Sequence, residues 1–395
     1  MGPKGFQAAG MACGIKTAGG GVRDLALIYS EVPAAVAGLF TVNRVKAAPV
    51  LYTRMRVRKG CCRALIINSG NANACTGKKG LLDAGAVAAM VADALHVPRW
   101  QVLFSSTGVI GRPLPIEKIE SGIPLLVKKL SPFGFKDAAE AIMTTDTFPK
   151  IANKRVVIGD EEITILGIAK GAGMIRPQLA TMLVFILTDA NVEAQALSTL
   201  LREGVRSTFN RITVDGDTST NDMILLLANG KGTGNLLQTN DAGFRLFKEN
   251  LFGVMDLLSQ AIVRDGEGRT KVVKIIVRGT RNIKEAEKLA FRVAHSPLVK
   301  SAFFGQDPNW GRIMAAMGDA GVPFDPQKVD IYFDDILIVE AGVQAKGTSE
   351  NKVREILKRE EFKVVIELHR GTAQTSVLTT DLSYDYVRIN ASYST

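Results

Sequence analysis

The sequence predicts a mixed α/β protein assembled from packed layers. Two observations carry this expectation. Short apolar runs bounded by polar or turn residues recur along the chain, as buried strands do; 63–69, 181–189 and 223–228 are examples. Between such runs lie helical stretches of ordinary length, among them the alanine-rich 81–96 and the longer 241–263. At 395 residues the chain can hold two domains or one large one, with a sizeable core. It has no repeats, low-complexity segments or disordered linkers.

Composition narrows the function classes. The chain is 46% hydrophobic and 22% charged with net charge +10, which raises the question of a nucleic-acid partner. Its Lys and Arg residues are scattered, with Glu interspersed in 352–361, and aromatics are sparse. No RNP-like or zinc-finger pattern occurs, so an anionic small substrate or a Lys/Glu-rich surface explains the charge better. Cys13, Cys61, Cys62 and Cys75 lack metal-ligand spacing and read as reduced residues, which predicts a cytoplasmic protein. The N-terminus lacks the apolar region of a signal peptide, and no apolar run is long enough to span a bilayer. His96, His295 and His369 are isolated, giving no support to a Ser-His-Asp triad.

Taken in order, 10–50 reads as short strands, 25–29 among them, separated by Gly/Ala-rich turns. Strand 63–69 ends in the Asn/Gly-dense 70–77, either a loop presenting backbone amides to a ligand or a plain turn. Helix 81–96 is closed by Pro98. Strand 101–106 runs into Thr107-Gly108-Val-Ile-Gly111, where a hydroxyl and an exposed glycine amide make two convergent donors, the requirement of an oxyanion hole. Residues 115–130 read as a helix interrupted near Gly122–Pro124, and 136–143 as a further helix. The hydroxyl cluster Thr144-Thr-Asp-Thr147 follows. Strands 155–158 and 162–166 form a hairpin turning at Gly159-Asp160, and the second leads to Lys170.

There a glycine-rich, proline-containing loop runs into Ala180-Thr181 and an apolar strand ending at Asp189. Thr181 is placed as the first strand residue, at the lip of the core. An N-terminal nucleophile would sit there if the Ala180–Thr181 bond were cut, its hydroxyl attacking while its freed α-amine serves as base. Helix 191–209 is predicted with Asn191 as its cap. The polar patch 210–222 has carboxylates and hydroxyls but not the spacing of a calcium loop, so no metal is expected. After helix 241–263, Glu267 stands between two glycines, where a kink can aim it into a cleft. Strand 271–277, a helix from Lys284, strands 329–333 and 336–340, helix 350–359, and strands 363–368 and 374–379 complete the pattern. The end, 386–395, keeps strand-like alternation and is expected to be tied down.

Lys170-Gly-Ala-Gly-Met-Ile-Arg-Pro-Gln-Leu-Ala-Thr181-Met resembles the self-cleavage site of the ornithine acetyltransferase family, also called glutamate N-acetyltransferases. Gly10-Met-Ala-Cys-Gly-Ile-Lys, Phe40-Thr-Val-Asn-Arg-Val-Lys-Ala-Ala-Pro and Phe304-Gly-Gln-Asp-Pro-Asn-Trp-Gly-Arg312 extend the likeness over nearly the whole chain. The resemblance implies an αββα-like sandwich with a smaller C-terminal α/β part. It implies cleavage between Ala180 and Thr181 into an α chain, 1–180, and a β chain, 181–395, that assemble as a heterotetramer of two α and two β chains. By the same likeness Thr181 is the nucleophile, Thr107 and Gly108 form the oxyanion hole, and Thr144, Lys170, Thr181, Glu267, Asn390 and Thr395 contact substrate.

The implied reaction moves the acetyl group of N-acetylornithine to glutamate without a cofactor. Some family members also accept acetyl-CoA as donor, a point these residues leave open. Two other readings stand beside this one. A self-cleaving aminopeptidase of related fold would use the same nucleophile with water as acceptor. A non-catalytic metabolite-binding protein would use Thr181 only to begin a strand.

Overall fold

The computed structural model describes residues 1–17, 21–176, 182–232 and 234–392. They fall into two compact units, one made of 1–210 and 217–262, the other of 211–216 and 263–392. Ala180, Thr181 and Thr395 lie outside the described residues, so their assigned roles have no geometry here.

The first unit contains, in order, β1 (Phe6–Met11), β2 (Leu25–Phe40), α1 (Ala48–Val57), β3 (Cys61–Asn71), α2 (Gly77–Leu95), β4 (Val102–Val109), α3 (Ile116–Lys128), α4 (Phe135–Ala141), β5 (Lys150–Ile158), β6 (Glu161–Lys170), β7 (Leu183–Thr188), α5 (Ala194–Ser207), β8 (Met223–Ala228) and α6 (Ala242–Arg264). Its described strands form a mixed sheet in the order β4-β3-β2-β8-β7-β6-β5, with β1 also paired to β2. Pairs β3/β4 and β7/β8 are parallel and the others antiparallel.

Side-chain alternation turns this sheet into a sandwich. Leu65 and Ile67 of β3 share one core with Leu166 and Ile168 of β6 and with Phe185 and Leu187 of β7. The intervening Ala64 and Ile66 point the other way, into a second core with Phe104, Val87 and Val91 of α2, and Ile119 and Ile123 of α3. On β6, Gly167 faces α6 so closely that a Cβ there would lie 2.5 Å from Leu258 Cδ1. Helices thus cover both outer faces of two strand layers, the αββα arrangement.

The second unit contains β9 (Val272–Thr280), α7 (Ile283–Ala294), α8 (Pro297–Phe304), α9 (Trp310–Gly318), β10 (Asp330–Phe333), β11 (Ile336–Glu340), β12 (Val343–Gln344), α10 (Glu350–Lys358), β13 (Glu361–Glu367), β14 (Ala373–Thr380) and α11 (Tyr384–Ser392). Its sheet order is β12-β11-β10-β13-β9-β14, with only β9/β13 parallel among the described pairs. Val273, Ile275 and Val277 of β9 and Val364 and Ile366 of β13 pack against Leu289, Val293, Phe303 and Ile356 from the helices. This is the smaller C-terminal α/β part. The distinctive 304–312 segment has a local use: the Asn309 side chain accepts from Arg312 N at 3.2 Å and caps α9.

Several expectations are corrected. The 10–50 region holds one long strand, β2, not a series of short ones; Pro33 sits in the stretch where its register with β3 shifts, between Tyr29 and Ala34. Helix α1 begins at Ala48, where Pro49 occupies the first turn and needs no amide partner. Helix α3 runs through Pro124 unbroken: Ile119, Gly122, Ile123 and Leu126 form a buried stripe, while Pro124 and Glu120 face solvent, where water can satisfy the freed carbonyl. Asn191 does not cap α5. The helix starts at Ala194 behind Glu193, and the Asn191 carbonyl accepts from Leu237 N at 2.9 Å.

Of the C-terminal segment, the described residues Tyr384–Ser392 form a helix, not a strand. Ser383 Oγ accepts from Tyr386 N at 3.2 Å, Asp385 lies in the first turn of α11, and Asp385 pairs with Arg388 at 3.0 Å. Its apparent alternation reflected aromatic and β-branched residues on a largely exposed helix.

Candidate active site

In the first unit the predicted site residues Thr107 and Gly108 lie at the end of β4 and Lys170 at the end of β6. Strands β3 and β4 run side by side with Gly70 opposite Gly108, and the register shifts at Gly70/Asn71. Gly108 has φ of +130°, and a Cβ there would fall 2.3 Å from the Gly70 carbonyl carbon, so the tight join excludes any other residue. Buried asparagines lock the join. Asn68 Nδ2 donates to Asn71 O at 2.9 Å, and Asn221 Nδ2 donates to Ala72 O and Ser106 O at 2.7 and 2.8 Å. Asn71 and Asn73 are buried, and their side chains bond within the protein.

Thr107 and Lys170 are both more than nine-tenths buried. Lys170 ends β6, and its Nζ donates to Thr107 Oγ1 at 3.3 Å. A hydroxyl that accepts from an ammonium keeps its own hydrogen to donate and becomes a better donor. That suits it to an oxyanion, while the lysine suits a carboxylate.

Sequence reasoning named the threonines of 144–147 but not the aspartate between them. Asp146 Oδ1 accepts from Lys150 Nζ and from Gly171 N, each at 2.7 Å, and Oδ2 accepts from Thr144 N at 2.9 Å. Burial pushes this carboxyl up, but Lys170, then Lys150 and the hydrogen bonds from Lys150 and Gly171 outweigh it and hold it at about 2. Thr144 and Thr145 are both half-buried, which leaves the choice between them where the sequence put it. Lys16 was also missed. It packs on Gly70, donates to Arg23 O at 2.8 Å, and burial brings its ammonium down to about 8 against the pull of Asp24 and Asp146. No sequence-local signal places either residue at the site, because the contacts that do so, Asp146 with Gly171 and Lys16 beside Gly70, join segments distant in the chain.

In the second unit, Glu267 follows the end of α6 in a turn where Gly268 has φ of +64°. Its Oε2 accepts from Asn390 Nδ2 at 2.9 Å, so these two predicted substrate contacts meet. Tyr386 of α11 packs closely on Gly268, where a Cβ would lie 2.2 Å from Tyr386 N. Among the described residues no cluster of His, Cys, Asp or Glu is arranged to hold a metal, and no helix is long and apolar enough to cross a membrane.

A family model described as the ArgJ family matches residues 7–395. An arginine biosynthesis bifunctional protein ArgJ from Geobacter sulfurreducens is 48% identical over 395 residues, covering 100% of both chains. Its counterpart from Symbiobacterium thermophilum is 47% identical over 393 residues, covering 100% of this chain and 98% of its own. A solved structure of the arginine biosynthesis bifunctional protein ArgJ from Bacillus halodurans aligns with a TM-score of 0.51 at 38% identity, covering 53% of this chain and 98% of that one. The match over nearly the full length and the near-half identity place the chain in the ArgJ family.

Proposed function

We propose that this protein is an arginine-biosynthesis acetyltransferase that moves the acetyl group of N-acetylornithine to glutamate through an acetyl-threonine intermediate. The observation that carries the proposal is family membership over residues 7–395, joined to the buried Thr107–Lys170 contact at the strand ends. The name shared by the relatives, arginine biosynthesis bifunctional protein, supports the pathway.

In this reading Thr181 Oγ first attacks the Ala180 carbonyl and shifts the acyl group from N to O. Water then hydrolyses that ester, leaving the Ala180 carboxylate and a free Thr181 amine. In the transfer reaction the amine takes the Thr181 hydroxyl proton as Oγ attacks the acetyl carbonyl, and it returns the proton to the departing ornithine nitrogen. Thr107 and Gly108 stabilise the oxyanion. Lys170 holds the substrate carboxylate and, by like-charge repulsion, keeps the Thr181 amine neutral. Thr144, Asn390 and Thr395 complete the substrate contacts, and Glu267 meets the cationic side-chain amine of ornithine. The glutamate amine then attacks the acetyl ester, releasing N-acetylglutamate and restoring Thr181.

No cofactor is needed, and activity is expected to survive chelator and exhaustive dialysis. The word bifunctional in the relatives' names favours acetyl-CoA as a second donor. The scattered charge and reduced cysteines favour a cytoplasmic enzyme without nucleic-acid partners. A solved relative whose chain is about half this length supports the cut near the middle.

The test is intact mass followed by a transfer assay. Wild type should give two fragments divided at Ala180–Thr181 and form N-acetylglutamate from acetylornithine, while Thr181→Ala should stay whole and inactive. A cut or active Thr181→Ala protein refutes the nucleophile. Peptide amide hydrolysis in place of acetyl transfer would favour the aminopeptidase reading.

A further inference from the structure

Asp146 accepts three hydrogen bonds inside the first unit, and the proposed reaction gives it no task. Its side chain is fully buried and reaches three separate segments. It holds Lys150 on β5, the Thr144 amide on its own loop, and the amide of Gly171, which follows Lys170 directly and opens the glycine-rich segment leading in sequence to Ala180-Thr181. It also attracts the Lys170 ammonium.

A salt bridge wanted only for stability would need one lysine. Apolar residues of similar size often serve a core as well as a buried pair. The bonds to backbone amides do something different. The one to Thr144 holds Asp146's own loop, and the one to Gly171 fixes where the chain turns out of β6, at the residue following the lysine that touches Thr107. A carboxylate facing both Lys150 and Lys170 also lets two buried ammonium groups coexist at the strand ends.

We propose that Asp146 is a positioning residue for both self-cleavage and acetyl transfer. It orients Lys170 for a substrate carboxylate and anchors Gly171, so that the chain leaves β6 in one direction. The inference rests on the self-cleavage and transfer reading above.

Asp146→Asn alone would remove the carboxylate that the buried Lys150 ammonium pairs with, so the informative variant is D146N/K150M, which removes both charges together, with K150M as its companion. Self-cleavage is followed on pulse-synthesised chains by denaturing electrophoresis, melting temperature is measured on the same preparations, and KM and kcat for acetylornithine are taken on whatever has been cut. The double variant should melt near wild type yet cut itself slower by on the order of 10²-fold. Its cut fraction should show a KM raised by more than kcat falls. K150M, which keeps Asp146 with Gly171, Thr144 and Lys170, should cut at close to the wild-type rate. A double variant that cuts at the wild-type rate with wild-type KM overturns the proposal. So does a K150M chain as slow as the double variant, which would reduce Asp146 to half of a structural ion pair. Wild type that never cuts would instead sink the underlying reading and is told apart by that control.

Discussion

At the scale of single residues, the arrangement around Thr107 makes a measurable claim. Its hydroxyl accepts from Lys170 at 3.3 Å and, in the proposed reaction, keeps its hydrogen for a partner that becomes anionic only as the acetyl carbonyl is attacked. Removing it should therefore cost the transition state and spare the ground state. Thr107→Ala is expected to lower kcat for acetyl transfer by on the order of 10²-fold while leaving KM for acetylornithine within about twofold. An unaltered kcat would take Thr107 out of the oxyanion hole. The Thr107-Gly108 pair was legible in the sequence only as a turn with two potential donors. What makes glycine obligatory, the close approach of the Gly70 backbone, depends on a parallel strand pairing that one sequence cannot display. Asp146 was illegible for the same reason, since Gly171, which it holds, lies on another strand's end.

At the scale of elements, legibility follows how locally each is determined. Strand β8 is found where its unbroken apolar run stands, and the β5/β6 hairpin turns at Gly159-Asp160, because burial pattern and turn chemistry are written in adjacent residues. Helix α11 was misread because its side chains are not buried and so carry no core-facing stripe. The usable signal was the cap. Ser383 Oγ accepts from Tyr386 N and its hydroxyl donates to Gly268 O, joining the helix start to the turn that carries Glu267. Ser383→Ala should destabilise this start by about 1 kcal/mol. Amide exchange over 384–390 should quicken, while the helices packed on β9 keep their protection. Equal protection in variant and wild type would mean that the cap contributes nothing to holding Asn390 beside Glu267.

At the scale of the molecule, the proposed cut and the folding units do not coincide. The bond between Ala180 and Thr181 lies in the chain of the first unit, between β6 and β7. Those strands pair antiparallel from Ile165↔Thr188 to Lys170↔Leu183, and beyond the cut β8 pairs with β2 along Ala35↔Ala228 to Phe40↔Met223. Leu183, Phe185, Leu187 and Leu225 from after the cut share one apolar core with Leu65, Ile67, Leu166 and Ile168 from before it. Severing one bond between β6 and β7 in sequence leaves all of these pairings in place, so neither fragment can depart without opening a sheet and exposing a core. The expected result is a single native species containing both fragments in equal amounts, which separates only in denaturant, in one cooperative step for the first unit. Native mass spectrometry checks it, and a mass equal to two of each fragment would also establish the heterotetramer. Fragments that drift apart in dilute native buffer would mean that the strands on either side of the cut do not hold each other, and the layered architecture derived from β6, β7 and β8 would have to be abandoned.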